Sequence, residues 1–159
     1  IGSNNMKLVV CAGGVPIYTR DSSVGGRNLT SEIQKHMNLS FQEAENIKIS
    51  GSMTGQIPPE VAELMDIAVE NITQEIKRSL DFFAASSNGL SVGYILLTGG
   101  SSRLNNLQKL VEVGCNLPAQ YLNPFAQVTY NPKFFNEESI GAISGMASVP
   151  IGLALRGFS

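Results

Sequence analysis

Tyr94-Ile95-Leu96-Leu97-Thr98-Gly99-Gly100-Ser101-Ser102-Arg103-Leu104 is the stretch on which the reading of this chain turns. An apolar run with strand character stops at paired glycines, and small polar residues then lead into a helical pattern. Glycine removes the Cβ that holds a ligand away from the backbone, and a helix N-terminus presents unpaired N–H groups to an anion. The same pattern also describes an ordinary tight turn after a strand. The rest of the chain has to decide between the two.

Bulk properties narrow the field. With 159 residues the chain has the size of one domain, 43% hydrophobic and 15% charged. A net charge of -2 gives no electrostatic footprint for nucleic acid or for an anionic membrane surface. No apolar run approaches the ~20 residues of a membrane span, because the C-terminal stretch is broken at Gly145, Pro150 and Gly152. Nothing at the start has the basic-then-apolar layout of a cleaved leader. Cys11 and Cys115 are too few for a disulfide framework, which points to a reducing cytoplasm. Ile1-Gly2-Ser3-Asn4-Asn5 stands in front of Met6, as a tag would, or as the cut end of a longer chain would.

Working outward from the glycine pair, Met6–Val10 and Val15–Thr19 read as two strands joined by a turn at Ala12-Gly13-Gly14. Gly25-Gly26 interrupts the chain before a helix carrying Leu29, Ile33 and Met37, with Asn28 or Thr30 placed to cap it. Ser40 and Glu43 have capping-box spacing at the start of a second helix, stapled by Leu39 and Ala44, with Phe41, Ala44 and Ile47 on its inner face. Residues 50–56 are small and polar and read as a loop. Pro59 opens a long helix striped by Val61, Met65, Ala68, Ile72, Ile76, Leu80 and Phe83. After the glycine pair, Leu104, Leu107, Leu110 and Val111 predict a helix, and residues 117–122 a short edge strand ended by Asn123-Pro124. Residues 134–138 read as loop. Residues 140–155 read as one glycine- and alanine-rich helix, closely packed and kinked at Pro150. The order is that of an α/β domain whose sheet mixes hairpin and crossover connections.

Several chemistries drop out. One histidine (His36) and two separated cysteines assemble no ordinary zinc site. There is no G-x-x-x-x-G-K-[ST] loop, and no G-x-G-x-x-G after a strand. A Ser-His-Asp hydrolase would have to use His36, on a helix beside Lys35 and far from any nucleophile elbow. Three segments remain. Gly2-Ser3-Asn4-Asn5 leads into the first strand and can offer N–H and amide donors to phosphate, or be a plain turn. Glu45 and Lys48, three apart, share a face beside the apolar stripe, where they can meet a ribose, a purine and phosphate or form a solvated ion pair. The third segment is Thr98–Arg103.

Together these residues resemble a family. Ile1-Gly2-Ser3 before a strand, Ala44-Glu45-Asn46-Ile47-Lys48-Ile49-Ser50-Gly51, and Leu96-Leu97-Thr98-Gly99-Gly100-Ser101-Ser102 occur in the order and spacing of the actin-like ATPase superfamily. There they look like the second phosphate loop, a ribose- and adenine-contacting helix, and the adenosine motif. Residues 25–30, 39–45 and 74–83, with Leu122-Asn123-Pro124-Phe125 and Gly152-Leu153-Ala154-Leu155-Arg156, are similar to the PilM family of type IV pilus assembly proteins. These blocks span nearly the whole chain.

The resemblance implies an α/β lobe of the actin-like ATPase (ribonuclease H-like) fold, residues 1–159, with residues 39–85 as an inserted helical subdomain. Family members hold nucleotide between two lobes, so this chain would be the second lobe of a longer protein. The implied ligand is ATP or ADP with Mg2+. Its contacts here would be Gly2, Ser3, Asn4, Asn5, Glu45, Lys48, Gly99, Gly100, Ser101 and Arg103. The implied role is an ATP-binding scaffold in the cytoplasm, drawn to the inner membrane by a short cytoplasmic peptide of a PilN-like membrane-anchored protein, with homo-oligomer or ring assembly. No direct membrane insertion and no nucleic-acid binding is expected. The family's loop has Asp before Ile-Gly, a position just ahead of Ile1. It also places Ser or Thr where Asn5 and Met6 stand, and a methionine cannot donate to phosphate, which argues against efficient hydrolysis. An FtsA-type cell-division homologue, or a scaffold without nucleotide, is the alternative. The C-terminal amphipathic membrane helix of the FtsA type has no counterpart in Arg156-Gly157-Phe158-Ser159.

Overall fold

A computed structural model describes residues 1–54 and 57–156. Strands β1 (Met6–Ala12) and β2 (Val15–Ser22) form an antiparallel hairpin, turned through Gly13 and Gly14 at positive φ. Helices α1 (Gly26–Met37), α2 (Phe41–Thr54) and the 28-residue α3 (Pro59–Ser86) come next. Strand β3 (Ile95–Leu97) leads through a short 3-10 turn (Gly100–Arg103) to α4 (Leu107–Cys115). Strand β4 (Ala119–Tyr121) lies parallel to β3, and α5 (Glu137–Ser144) and α6 (Ser148–Leu155) close the chain. Hairpin and crossover connections are both present, as a mixed sheet requires, but distributed over two separate two-stranded pairs.

The core gathers on α3. Its Val61, Met65, Val69, Ile72 and Ile76 pack with Leu29 and Ile33 of α1, Ala44 of α2, Leu107 and Val111 of α4, and Met6 and Leu97 from the strands. This is the expected stripe, with Val69 taking the fully buried place next to Ala68. The α3–α4 approach is closest at Gly114, where a Cβ would lie 2.8 Å from the Thr73 methyl.

The Ser40–Glu43 box forms as read: Ser40 N–H donates to the Glu43 carboxylate at 2.9 Å, and Glu43 N–H to Ser40 Oγ at 3.3 Å. Four other expectations are corrected. Helix α1 starts from Gly25 rather than from Asn28 or Thr30; Asn28 reaches back from the first turn to accept from Gly25 N–H at 3.1 Å, and Thr30 is buried inside the helix. Phe41 is on no inner face but exposed, under the Arg27 guanidinium at 5.1 Å. Residues 50–54 continue α2 instead of looping, with Gly51 packed against Ile57, whose methyl would lie 2.1 Å from a Cβ there; Gly55 and Gln56 lie outside the described residues. Glu137 and Glu138 are helical, behind an Asn136 cap that accepts from Ser139 N–H at 2.8 Å.

The C-terminal stretch departs most. It is two helices, broken at residues 145–147 and not at Pro150, which sits in the first turn of α6 where its missing N–H leaves nothing unpaired. Nor is α6 closely packed: it has no buried residue, and Val149 is 70% and Leu153 62% exposed. Residues 157–159 lie outside the described residues. No helix among the described residues is long and apolar enough to cross a membrane.

Candidate functional site

Four segments that are distant in sequence meet at the N-terminal end of α1. The Gly2 loop is itself a tight turn, closed by Gly2 N–H donating to the Asn5 carbonyl at 2.9 Å. Its carbonyls then cap α1: Gly26 N–H donates to Gly2 O at 3.1 Å and Arg27 N–H to Ser3 O at 2.8 Å. From the other side, Ser101 Oγ donates to Gly2 O at 3.0 Å and Ser101 N–H to Ile1 O at 3.2 Å. The strand-turn at Gly99-Gly100 and the Gly2 loop therefore share one wall.

Glycine is required in this wall by space. A Cβ on Gly25 would lie 2.3 Å from Ser3 O, and one on Gly26 2.3 Å from Ser101 Oγ. At Gly99, φ is +95° and a Cβ would lie 2.2 Å from Ile1 O. Gly100 differs: it is exposed, and a Cβ there would make only an ordinary van der Waals contact with Met146 at 3.8 Å. The expected run of unpaired N–H groups after the glycines is corrected in part. Gly100–Arg103 form a four-residue 3-10 turn, and Ser101 and Ser102 N–H are bonded to Ile1 O and Gly99 O.

Lys48 is the charged centre. It lies not on a solvated flank but inside, its side chain 11% exposed, and all three ammonium protons meet protein acceptors. These are Glu45 Oε2 at 2.8 Å, Thr30 Oγ1 at 2.9 Å and the Gly26 carbonyl at 3.3 Å. Thr30 Oγ1 accepts from Lys48 and is within donating distance of Glu45 Oε2 at 2.5 Å and of Gly26 O at 3.0 Å. Burial pushes the Glu45 carboxyl up, but hydrogen bonds from Lys48 and Thr30 and the charges of Lys48 and Arg27 outweigh it and hold it below the usual range.

The remaining candidates divide. Ser3, Asn4 and Asn5 are exposed on the loop. Arg103 leans away, donating to Ser144 Oγ at 2.8 Å with its guanidinium 4.7 Å from the Tyr121 ring centre. Met6, 3% exposed, points into the core, and Lys7 pairs with Asp21 on the hairpin surface at 3.4 Å. Among the described residues no group of three or more His, Cys, Asp or Glu is placed to hold a metal. Three contributors, Gly25, Gly26 and Thr30, escaped the sequence reading of the site. Gly26 was signalled by its glycine pair ahead of a helix, and Thr30 only by being a β-branched hydroxyl in mid-helix.

With this geometry in view, comparison with known proteins is decisive. The family model described as type IV pilus assembly protein PilM matches residues 1–158. The chain belongs to the PilM family. A solved PilM–PilN type IV pilus biogenesis complex is 30% identical, with a TM-score of 0.86 over 100% of this chain and 44% of that one. The PilM-family chain described here thus spans less than half the length of that relative. The ethanolamine utilization protein EutJ from Carboxydothermus hydrogenoformans shares the fold at 18% identity and a TM-score of 0.66, over 98% of this chain and 47% of its own. The fold is the expected α/β lobe of the actin-like type.

Proposed function

We propose that the intact protein is an ATP-binding, actin-like scaffold of type IV pilus assembly, and that this chain supplies the adenosine-side half of its nucleotide cleft. The carrying observation is the convergence of the Gly2 loop, Gly25-Gly26, Glu45–Lys48 and Gly99–Ser101 on one wall. Bare backbone at Gly100, the exposed Ser3–Asn5 loop and the Glu45 carboxylate at its rim fit a nucleotide's phosphates and ribose. Mg2+ would arrive with those phosphates. Residues 39–85, spanning α2 and α3, form the inserted helical subdomain in this reading. The buried Met6 argues against efficient hydrolysis. The PilM–PilN complex supports a PilN-like cytoplasmic peptide as partner and, through it, recruitment to the inner face of the inner membrane.

A second reading, a scaffold without nucleotide, is favoured by the three ammonium protons of Lys48 already being engaged by protein acceptors. Calorimetric titration of ATP into the full-length protein separates the two. Wild type is expected to bind, and Gly100→Leu, which adds bulk where the fold has room, to bind at least about tenfold more weakly, or ~1.4 kcal/mol. No heat at millimolar ATP would remove the cleft reading and leave the scaffold.

A further inference from the structure

Among the described residues, every non-glycine residue at positive φ is an asparagine: Asn38, Asn88, Asn106 and Asn116. Three of them sit at helix ends and are followed by leucine, whose N–H is bonded in each case. Leu39 N donates to Gln34 O at 3.1 Å, Leu107 N to Leu104 O at 3.2 Å and Leu117 N to Glu112 O at 3.3 Å. Asn88 differs. It is followed by Gly89, in the only Asn-Gly step of the sequence. Just past the end of α3, Ser87–Leu90 form a turn closed by Leu90 N donating to Ser87 O at 3.2 Å. Its central residues have φ of 48° and 91°, the type I′ signature for which Asn-Gly is the favoured pair. Among the described residues no hydrogen bond engages the Gly89 N–H or the Asn88 side-chain amide, and both residues are exposed. Even a Cβ on Gly89 would meet nothing within 4 Å.

We propose that Asn88 is a site of spontaneous deamidation in the folded protein. Gly89 N attacks Asn88 Cγ and forms the N–Cγ bond of a five-membered succinimide. The Cγ–Nδ2 bond breaks, and ammonia leaves with the proton that Gly89 N gives up. Water then opens the ring: addition at Cγ leaves aspartate, and addition at the main-chain carbonyl leaves isoaspartate. Nothing is oxidised or reduced, and water is the sole co-reactant. Glycine permits the attack because it has no Cβ to obstruct its own nitrogen. At the other three asparagines the leucine side chain obstructs it, and the leucine N–H is already engaged. Bringing Gly89 N over Cγ requires rotation about Asn88 ψ. That rotation is resisted by the Leu90–Ser87 bond and by Ser87 Oγ, which donates to Leu90 O at 3.1 Å and to Ala84 O at 3.3 Å. Exposed turns held by so few bonds open at low cost. The product has a structural consequence. Its carboxylate joins the C-terminal end of α3, whose last turn has no basic residue and where the helix dipole disfavours negative charge. In the isoaspartate form a methylene also enters the main chain between α3 and β3.

Full-length protein kept in mildly alkaline buffer, then digested and read by mass spectrometry, tests this. Asn88 should convert to a mixture of aspartate and isoaspartate at least about tenfold faster than Asn38, Asn106 or Asn116. Its rate should lie within about tenfold of that in the urea-unfolded chain, because the turn opens readily. Asn88→Gln, which would need a six-membered ring, should keep its amide. The converted fraction, separated by its added negative charge, should unfold about 1–4 °C below the amide form. Asn88 keeping its amide while the unfolded chain converts, or converting no faster than the other three, would overturn the proposal. An unchanged unfolding midpoint would overturn the consequence for α3. None of these readouts depends on nucleotide.

Discussion

Replacing Lys48 by Met is the sharpest probe of the glycine wall. Methionine keeps most of the stem's volume and removes the ammonium. Glu45 then loses its ion pair at 2.8 Å, and Thr30 Oγ1 and the Gly26 carbonyl each lose a donor. Breaking a fully buried pair by removing one partner costs about 3–5 kcal/mol. Glu45 is 27% exposed, so water can rehydrate part of its carboxylate, which lowers the expected loss to about 2–3 kcal/mol. For a urea dependence of roughly 2 kcal/mol per molar, the unfolding midpoint falls by about 1–1.5 M. A double-mutant cycle with Glu45→Gln isolates the pair, and the double variant should recover about 1–2 kcal/mol relative to the sum of the single changes. A Lys48→Met midpoint within about 0.25 M of wild type, or additive single changes, would refute the account of Lys48 as a buried, fully partnered cation.

The same wall carries two further expected outcomes. Gly26→Ala should destabilise by about 1–3 kcal/mol in thermal unfolding, because its Cβ would lie 2.3 Å from Ser101 Oγ, and Ser101→Gly in the same chain should restore most of the loss; an unrelieved Gly26→Ala would place the clash elsewhere. Glu45, whose pKa is held below its usual value near 4.5, contributes stability that is fully present above that value and fades as pH falls through the lower folded value. Between about pH 5 and strong acid, wild type should therefore lose more stability than Glu45→Gln, and parallel acid-unfolding curves would contradict the shift.

Much of this architecture was legible because local chemistry and tertiary packing agree. The hairpin has its glycines at positive φ, the Ser40–Glu43 box closes in both directions, and the α3 stripe becomes the core. The misses have one physical cause, tertiary contact overriding local preference. Ser50-Gly51-Ser52 is a poor helix sequence, yet Gly51 packs on Ile57 and Ser52 Oγ returns to the Lys48 carbonyl at 2.9 Å, and the helix continues. Gly145 breaks the C-terminal helix because its carbonyl accepts from Gly99 N–H at 2.7 Å, a bond between residues far apart in sequence. At the site, the residue types pointed to Glu45 and Lys48, but not to Thr30 between them or to the burial that makes the trio a closed network. Only the folded chain brings α1 and α2 together there.

The contacts of Gly25, Gly26 and Gly99 have a mechanical meaning. Gly25 and Gly99 approach the backbone of Ser3 and Ile1, while Gly26 approaches the Ser101 hydroxyl and bonds Gly2 O through its N–H. Side-chain contacts can slide by changing rotamer, whereas peptide groups in van der Waals contact have no such slack. The backbone of the loop is thereby tied closely to the residue ahead of α1 and to the end of β3. The same group of contacts reaches the exposed apolar helix α6 through the hydroxyl contact of Thr98 with Ser148. One continuous set of contacts therefore links the exposed Ser3–Asn5 loop to an exposed apolar helix at the other end of the chain.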